Sequence, residues 1–141
     1  MEINNVHQQF SKVVSEIKKL NQLLGRECSN VYFDDSNPND KFLFNEFTEA
    51  QNLLMQVAKK MDYLDLEVYI EGELYLNENG RFSLEDHELT GGSKIEIFNP
   101  KDNCWYLSQI EHNGEHYYCV AVGKNKNIEG YKARLRPKTI F

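Results

Sequence analysis

The residues best suited to acid–base chemistry are two carboxylates on one predicted strand and a histidine set between acids. Glu71 and Glu73 are spaced to share a strand face, where one could serve as acid and the other as base. Asp86-His87-Glu88 places an imidazole beside two acids, but no G-x-S-x-G elbow or similar nucleophile accompanies it. A solvated strand face explains the paired glutamates more simply. We therefore expect a protein that is not an enzyme and has no catalytic residues.

The nearest metal-like cluster consists of His112, His116 and Cys119. The two histidines bracket a predicted hairpin turn, yet no second cysteine or carboxylate follows at a recognised ligand spacing. We therefore expect no metal ion and no other cofactor. The cysteines are odd in number and widely spaced, with Cys28 and Cys104 as the other two, which favours free thiols in a reducing cytosol. Cys104 and Cys119 fall in strands whose pattern predicts burial.

The formal net charge of −6 on 141 residues is unevenly distributed. Nine carboxylates and one arginine lie between Asp62 and Glu88, a balance of −8. From Val120 to Phe141, six basic residues and one glutamate give +5. The molecule is therefore polarised, with an acidic segment and a basic segment that could each meet a partner.

Two segments carry the alternating three- and four-residue apolar spacing of coiled-coil helices. The first covers residues 3–24 and ends before Gly25, and the second covers residues 43–64. Asn39 or Asp40 is suited to cap the second helix. The similar lengths of the two segments predict an antiparallel helical hairpin.

The hairpin is expected to occupy residues 1–64, with a second domain at residues 67–141. Two helices alone bury only one narrow apolar seam. The hairpin is therefore expected to be a structural spacer that packs on the C-terminal part, or else to form a homodimer or dock a partner.

From Leu66 the apolar period changes from helical to alternating, which indicates short strands. Asn-Gly and Gly-Gly turn signals separate them. The predicted strands are 68–76, 81–84, 94–98, 104–111, 115–122 and 131–136. Because closure removes exposed sheet edges, we expect a small five- to six-stranded antiparallel SH3-like β-barrel, and an α+β fold class for the whole chain.

Part of this second domain resembles a known family. The residues that carry the resemblance are Asn79-Gly80-Arg81-Phe82, Glu88-Leu89-Thr90-Gly91-Gly92, Ile95-Glu96-Ile97, Trp105, Glu129-Gly130 and Ala133-Arg134-Leu135. Residues 72–136 look like a small domain family of unknown function from Gram-positive bacteria and their mobile elements. The resemblance implies no established activity. It implies a phage, plasmid or integrative-element setting, similar to that of anti-CRISPR proteins, where small acidic proteins inhibit host defence.

Charge and resemblance together lead us to expect a non-enzymatic protein that binds and inhibits a host nucleic-acid enzyme, most concretely an RNA-guided nuclease. Carboxylates presented where phosphates would lie can displace nucleic acid from a basic groove. The residues assigned to this protein-binding surface are Tyr69, Glu71, Glu73, Tyr75, Glu85, Asp86 and Glu88.

Two alternatives stay open. A basic ridge would instead bind nucleic acid in an accessory protein, its residues being Lys132, Arg134, Arg136 and Lys138. The simpler interpretation of the ridge is that the basic strand pairs with the acidic strand of the same domain. The other alternative is a structural adaptor that docks a partner through the helical hairpin. No membrane partner is expected, because no apolar run is long enough to span a bilayer.

Overall fold

In the computed structural model, residues 1–137 are described, and the helices and strands fall in separate units. The helical unit is Met1–Asp65, and the β unit begins at Leu66. Among the described residues, neither helix is long and apolar enough to cross a membrane. The expected α+β class, with an N-terminal helical hairpin followed by antiparallel strands, is confirmed.

Helix α1 covers Ile3–Leu24 and helix α2 covers Pro38–Leu64, so both predicted helices form. Gly25 follows α1 with φ +76°, a backbone conformation that favours glycine. A short 3-10 turn, Arg26–Cys28, begins the connection to α2.

The cap of α2 is Asn37, and the expectation of Asn39 or Asp40 is wrong. The side-chain oxygen of Asn37 accepts from the backbone N–H groups of Asn39 at 2.9 Å and Asp40 at 3.4 Å. Pro38 takes the first helical position, where the missing N–H of proline has no helical partner to lose.

The two helices run antiparallel, as predicted for a hairpin. Near the open end of the hairpin, the His7 imidazole lies 2.7 Å from the Asp65 carboxylate, and Lys18 pairs with Asp62 at 3.1 Å. The buried apolar residues between the helices are Val14, Ile17 and Ala58.

Gln51 of α2 holds the connecting turn in place. Its side chain is buried, and its oxygen accepts from the Cys28 backbone N–H at 3.0 Å. Its amide nitrogen donates to the Gly25 carbonyl at 2.8 Å and to the Asn21 side-chain oxygen at 3.2 Å. These hydrogen bonds satisfy a buried amide that would otherwise destabilise the hairpin.

Between residues 66 and 137, the β unit has eight short strands in two antiparallel sheets. The strands are β1 (Ile70–Glu73), β2 (Tyr75–Leu76), β3 (Phe82–Leu84), β4 (His87–Glu88), β5 (Lys94–Asn99), β6 (Cys104–His112), β7 (Tyr117–Cys119) and β8 (Lys132–Leu135). One sheet has the order β1-β8-β5-β6-β7, and the other has the order β2-β3-β4. Closure into an SH3-like barrel stays a prediction.

One apolar cluster draws residues from both sheets. Its fully buried members include Leu74, Leu84, Ile95, Ile110 and Ile128. Cys119 also lies in this cluster, whereas Cys104 is exposed and the expectation of its burial is wrong. Both are free thiols.

The predicted strand 68–76 is divided between the two sheets. Leu74 separates β1 from β2 and is only 1% exposed. Its backbone N–H donates to the Tyr131 carbonyl, so the chain turns inward here instead of continuing along one sheet. The acidic, tyrosine-bearing face expected along this segment is therefore not one flat strand surface.

Candidate functional site

The turn between β3 and β4 carries two neighbouring carboxylates, Glu85 and Asp86. Both residues are exposed, and Glu85 has φ +51°, which is uncommon for a residue with a side chain. The Tyr75 hydroxyl donates a hydrogen bond of 2.7 Å to the Glu85 carbonyl. This bond ties β2 to the turn and fixes the backbone that presents the two acids.

A second tyrosine lies at the same turn. The Tyr69 hydroxyl is 3.3 Å from Nε2 of His87, and the two rings meet edge to face at 5.6 Å between centroids. Tyr69 is 52% exposed and Tyr75 is 47% exposed. We call Tyr69, Tyr75, Glu85, Asp86 and His87 the acidic tip. It combines two carboxylates with aromatic side chains that are restrained by contacts on one side and open to solvent on the other.

Glu71 and Glu73 lie on β1, at the edge of the five-stranded sheet, and not in the turn that forms the acidic tip. In the β1–β8 ladder Glu71 is opposite Arg134, and Glu73 is opposite Lys132. Both glutamates are exposed. Opposite charges that face each other across a ladder partly cancel, so this part of the surface is less acidic than the sequence suggests.

Glu88 is exposed, but its carboxylate is occupied by hydrogen bonds within the β unit. It accepts hydrogen bonds from Arg81 at 2.7 Å, Asn77 at 2.9 Å and Asn79 at 3.0 Å. The hydrogen bond from Asn79 and those from Arg81 and Asn77 hold the pKa of Glu88 below its ordinary value. The same carboxylate raises the pKa of the Arg81 guanidinium. Glu88 therefore stabilises the turn between β2 and β3.

The predicted basic ridge is largely neutralised by Glu96. One oxygen of this buried carboxylate lies 2.9 Å from the Arg134 guanidinium, and the other lies 2.6 Å from Nε of Arg136. Arg136 also donates to the Leu66 carbonyl at 2.6 Å. Lys132 is exposed, opposite Glu73, and Lys138 lies outside the described residues.

Trp105 completes this arrangement on the same face of the sheet. The Arg134 guanidinium carbon lies 4.1 Å from the centre of the Trp105 ring. The Phe98 ring packs against the same Trp105 ring, with 5.4 Å between the two centroids. The guanidinium thus has a carboxylate and an aromatic face as partners. Two arginines that the sequence offers for phosphate binding serve to hold β8 against β5 and β6.

Sequence reasoning does not identify Glu96 as the partner of these arginines. Successive side chains of a strand point to opposite faces, so Glu96 lies on the face of the sheet away from Ile95 and Ile97. The sequence pattern therefore predicts that its carboxylate is exposed to solvent. Only the pairing of β5 with β8, which is not encoded locally, sets Glu96 opposite Arg134.

The candidate metal ligands have other partners. His112 packs edge to face on Tyr117 at 4.7 Å and accepts from the Gly114 backbone N–H, while His116 lies 3.1 Å from the Asn113 amide nitrogen. Within residues 1–137, no group of three or more His, Cys, Asp or Glu side chains converges on a point suited to a metal ion.

Part of the β unit is similar to a known domain family. Residues 72–135 match a domain of unknown function, DUF5348, which is consistent with the expected resemblance to a domain family without an assigned activity. No curated protein matches the chain. No solved structure matches it either. The matched segment begins within β1 and ends with β8, so it contains most of both sheets and all of the acidic tip except Tyr69.

Proposed function

We propose that this protein is a non-enzymatic inhibitor that binds a basic surface of a nucleic-acid enzyme through the acidic tip. The observation that supports this most is the pair Glu85 and Asp86, exposed at a restrained turn between two half-exposed tyrosines. Among residues 1–137, neither carboxylate has a salt-bridge partner. The two charges are therefore free to face a cationic partner.

The chemistry of the acidic tip suits protein recognition. Tyrosine supplies a large contact area with few rotatable bonds, and it is enriched among the residues that dominate binding energy at interfaces. Carboxylates attract a basic groove at long range and compete with phosphates for its lysines and arginines. Tyr69 and Tyr75 would supply contact area, while Glu85 and Asp86 would supply charge.

The most concrete target is an RNA-guided nuclease in the cytoplasm of a bacterial host, whose nucleic-acid channel is strongly basic. This choice is supported by the resemblance of the β unit to domains from mobile elements of Gram-positive bacteria. In that setting the protein would act as an anti-CRISPR inhibitor.

Nucleic-acid binding through the basic ridge is supported less well. Arg134 and Arg136 share the Glu96 carboxylate, and Lys132 faces Glu73 across a ladder. A polyanion would have to compete with these internal contacts and would meet the exposed carboxylate of Glu71 beside them.

The test is cleavage of a labelled DNA duplex by a purified RNA-guided nuclease loaded with its guide RNA. We expect the full-length chain to suppress cleavage at stoichiometric concentration, and the double variant Glu85→Lys, Asp86→Lys to need at least about tenfold more protein for the same suppression. Glu115→Lys, at the exposed turn between β6 and β7, is the control for a charge reversal elsewhere on the β unit and should inhibit like the unmodified chain. Cleavage that is unaffected by the unmodified chain would rule out this target. Suppression that survives the double variant would show that the acidic tip is not the binding surface.

A further inference from the structure

The two helices of the hairpin carry apolar residues that their packing on each other leaves half-exposed. Rows of apolar residues recur every seven positions along each helix. In α1 the rows are Val6, Val13 and Leu20, and Phe10, Ile17 and Leu24; in α2 they are Leu43, Ala50, Val57 and Leu64, and Phe47, Leu54 and Met61. No charged residue interrupts these rows. Part of each row packs between the helices, where Ile17 is buried with Val14 and Ala58, and where Leu54 and Met61 are partly buried against them.

The rows of both helices open on the same side of the hairpin. An apolar pocket of about 230 Å³ is lined jointly by Leu20 and Leu24 of α1 and by Phe47, Ala50 and Leu54 of α2. Residues seven positions apart lie on one line along a helix of this kind, so the rest of each row continues this side.

The opposite side of the hairpin is polar. A groove there is lined by Ser15, Lys18 and Gln22 of α1 and by Asp62 of α2. The hairpin is therefore amphipathic as a whole, with one side suited to water and one suited to an apolar partner.

The exposed area of the apolar face is enough for a small specific interface. Seven of its large residues are between 37% and 57% exposed: Phe10, Val13, Leu20, Leu43, Phe47, Val57 and Leu64. With roughly 150–200 Å² for each whole residue, they offer about 500–600 Å² on each copy. Two copies would bury about 1,000–1,200 Å² through these side chains alone, which reaches the lower bound for a specific interface. The partly buried side chains in the same rows add to it.

We infer that the apolar face binds the same face of a second copy of this chain, forming a four-helix bundle. A two-fold axis places the apolar face of one copy, about 33 Å long, against the identical face of the other copy. Because the two faces have the same length and pattern, each can cover the other along its whole length. The seven-residue repeat on both helices is the pattern that bundles of this kind require. The inference is independent of the proposed function.

The test is the molar mass of the full-length chain by light scattering and sedimentation equilibrium across the micromolar range. We expect a dimer of twice the 16.6 kDa chain mass. Phe47→Glu and Val57→Glu place a carboxylate in the apolar face and should raise the dissociation constant at least about tenfold. Gln22→Glu adds the same charge to the polar side and should leave the dimer intact.

Folding of the variants is checked separately by far-ultraviolet circular dichroism. The melting temperature of the unmodified chain should rise with protein concentration, because dissociation accompanies unfolding of a dimer. A monomer at all concentrations, a larger assembly, or a Phe47→Glu variant that remains fully dimeric would each overturn the inference. The first of these outcomes would leave the face to a partner other than a second copy.

Discussion

Glu71 on β1 stands directly opposite Arg134 on β8, in the ladder that joins the first and last strands of the β unit. The acidic segment and the basic segment, which are separated by about sixty residues of sequence, are therefore neighbours in the sheet. The guanidinium of Arg134 pairs with the buried carboxylate of Glu96, which lies on β5, the other neighbour of β8. The pairing of these strands converts much of the charge polarity of the chain into internal contacts and leaves the acidic tip as the clearest free acidic feature.

Glu96 is expected to be the most costly acidic residue to neutralise. Its side chain is 7% exposed, and it pairs with Arg134 and Arg136, which are 23% and 14% exposed. Glu96→Gln would leave two partly buried guanidiniums without their counter-charge, at a cost of about 2–4 kcal/mol in the free energy of unfolding. Chemical denaturation of the full chain, followed by Trp105 fluorescence, measures this cost.

The control for Glu96 is Glu71→Gln, which removes an exposed carboxylate beside the same arginine. It should change the free energy of unfolding by less than about 0.5 kcal/mol. Equal effects of the two substitutions would contradict the assignment of Glu96 as the centre of the cluster.

The hydrogen bonds of Glu88 lead us to expect that the turn between β2 and β3 loses stability in acid. Its pKa is lower in the folded chain than in the unfolded chain, because Asn79, Arg81 and Asn77 donate to the ionised form. Its contribution to stability is therefore complete above its ordinary pKa of about 4.3 and is lost as the pH falls through the lower, folded value. Amide hydrogen exchange in the β2–β3 turn should rise in that window.

Glu88→Gln should remove most of this pH dependence from the turn, whereas Glu78→Gln in the same turn should retain it. The reason is that Glu78 makes no side-chain hydrogen bond among the described residues. If both variants keep the acid-induced rise in exchange, another group is responsible for it.

Two adjacent glycines should respond in opposite ways to the same substitution. Gly92 has φ +86°, and its backbone N–H donates to the Ile110 carbonyl at 2.7 Å. Gly92→Ala should destabilise the fold by about 1–2 kcal/mol because of backbone strain. Gly91 has no positive φ and has open space where a Cβ would stand, so Gly91→Ala should be neutral or stabilise by up to about 1 kcal/mol. Thermal melts of the two variants measure the difference, and equal melting temperatures would contradict it.

The features that the sequence predicts well are those set by near neighbours. The apolar repeats predict α1 to the residue and α2 to within one turn and a half, since Pro38 begins the helix earlier than the first apolar position of the repeat at Leu43. Asn37 is the cap because Pro38 takes the first helical position, which is where proline is favoured in a helix. The side-chain oxygen of Asn37 then accepts from the free backbone N–H of Asn39. The Asn-Gly turns also lie between strands as expected.

The features that the sequence does not predict depend on contacts between distant strands. β4 is only two residues long and has no alternation from which to recognise it. The division of strand 68–76 at Leu74 follows from the burial of that residue in the cluster that both sheets share. The hydrogen bonds of Glu88 follow from the pairing of β4 with β3, which brings its carboxylate within reach of Arg81. For the same reason the acidic tip unites Tyr69 and Tyr75 with Glu85 and Asp86, but excludes Glu88.

Binding through the acidic tip is tested by the affinity of the chain for a guide-loaded RNA-guided nuclease. The affinity is compared between Asp86→Lys and its charge-matched control Glu115→Lys. Biolayer interferometry between about 50 and about 200 mM salt gives both the affinity and its ionic dependence. We expect the unmodified chain and Glu115→Lys to bind alike, salt and target DNA to weaken the binding of both, and Asp86→Lys to bind at least about tenfold more weakly. Equal affinity of the two variants, or binding that is insensitive to both salt and target DNA, would contradict this expectation.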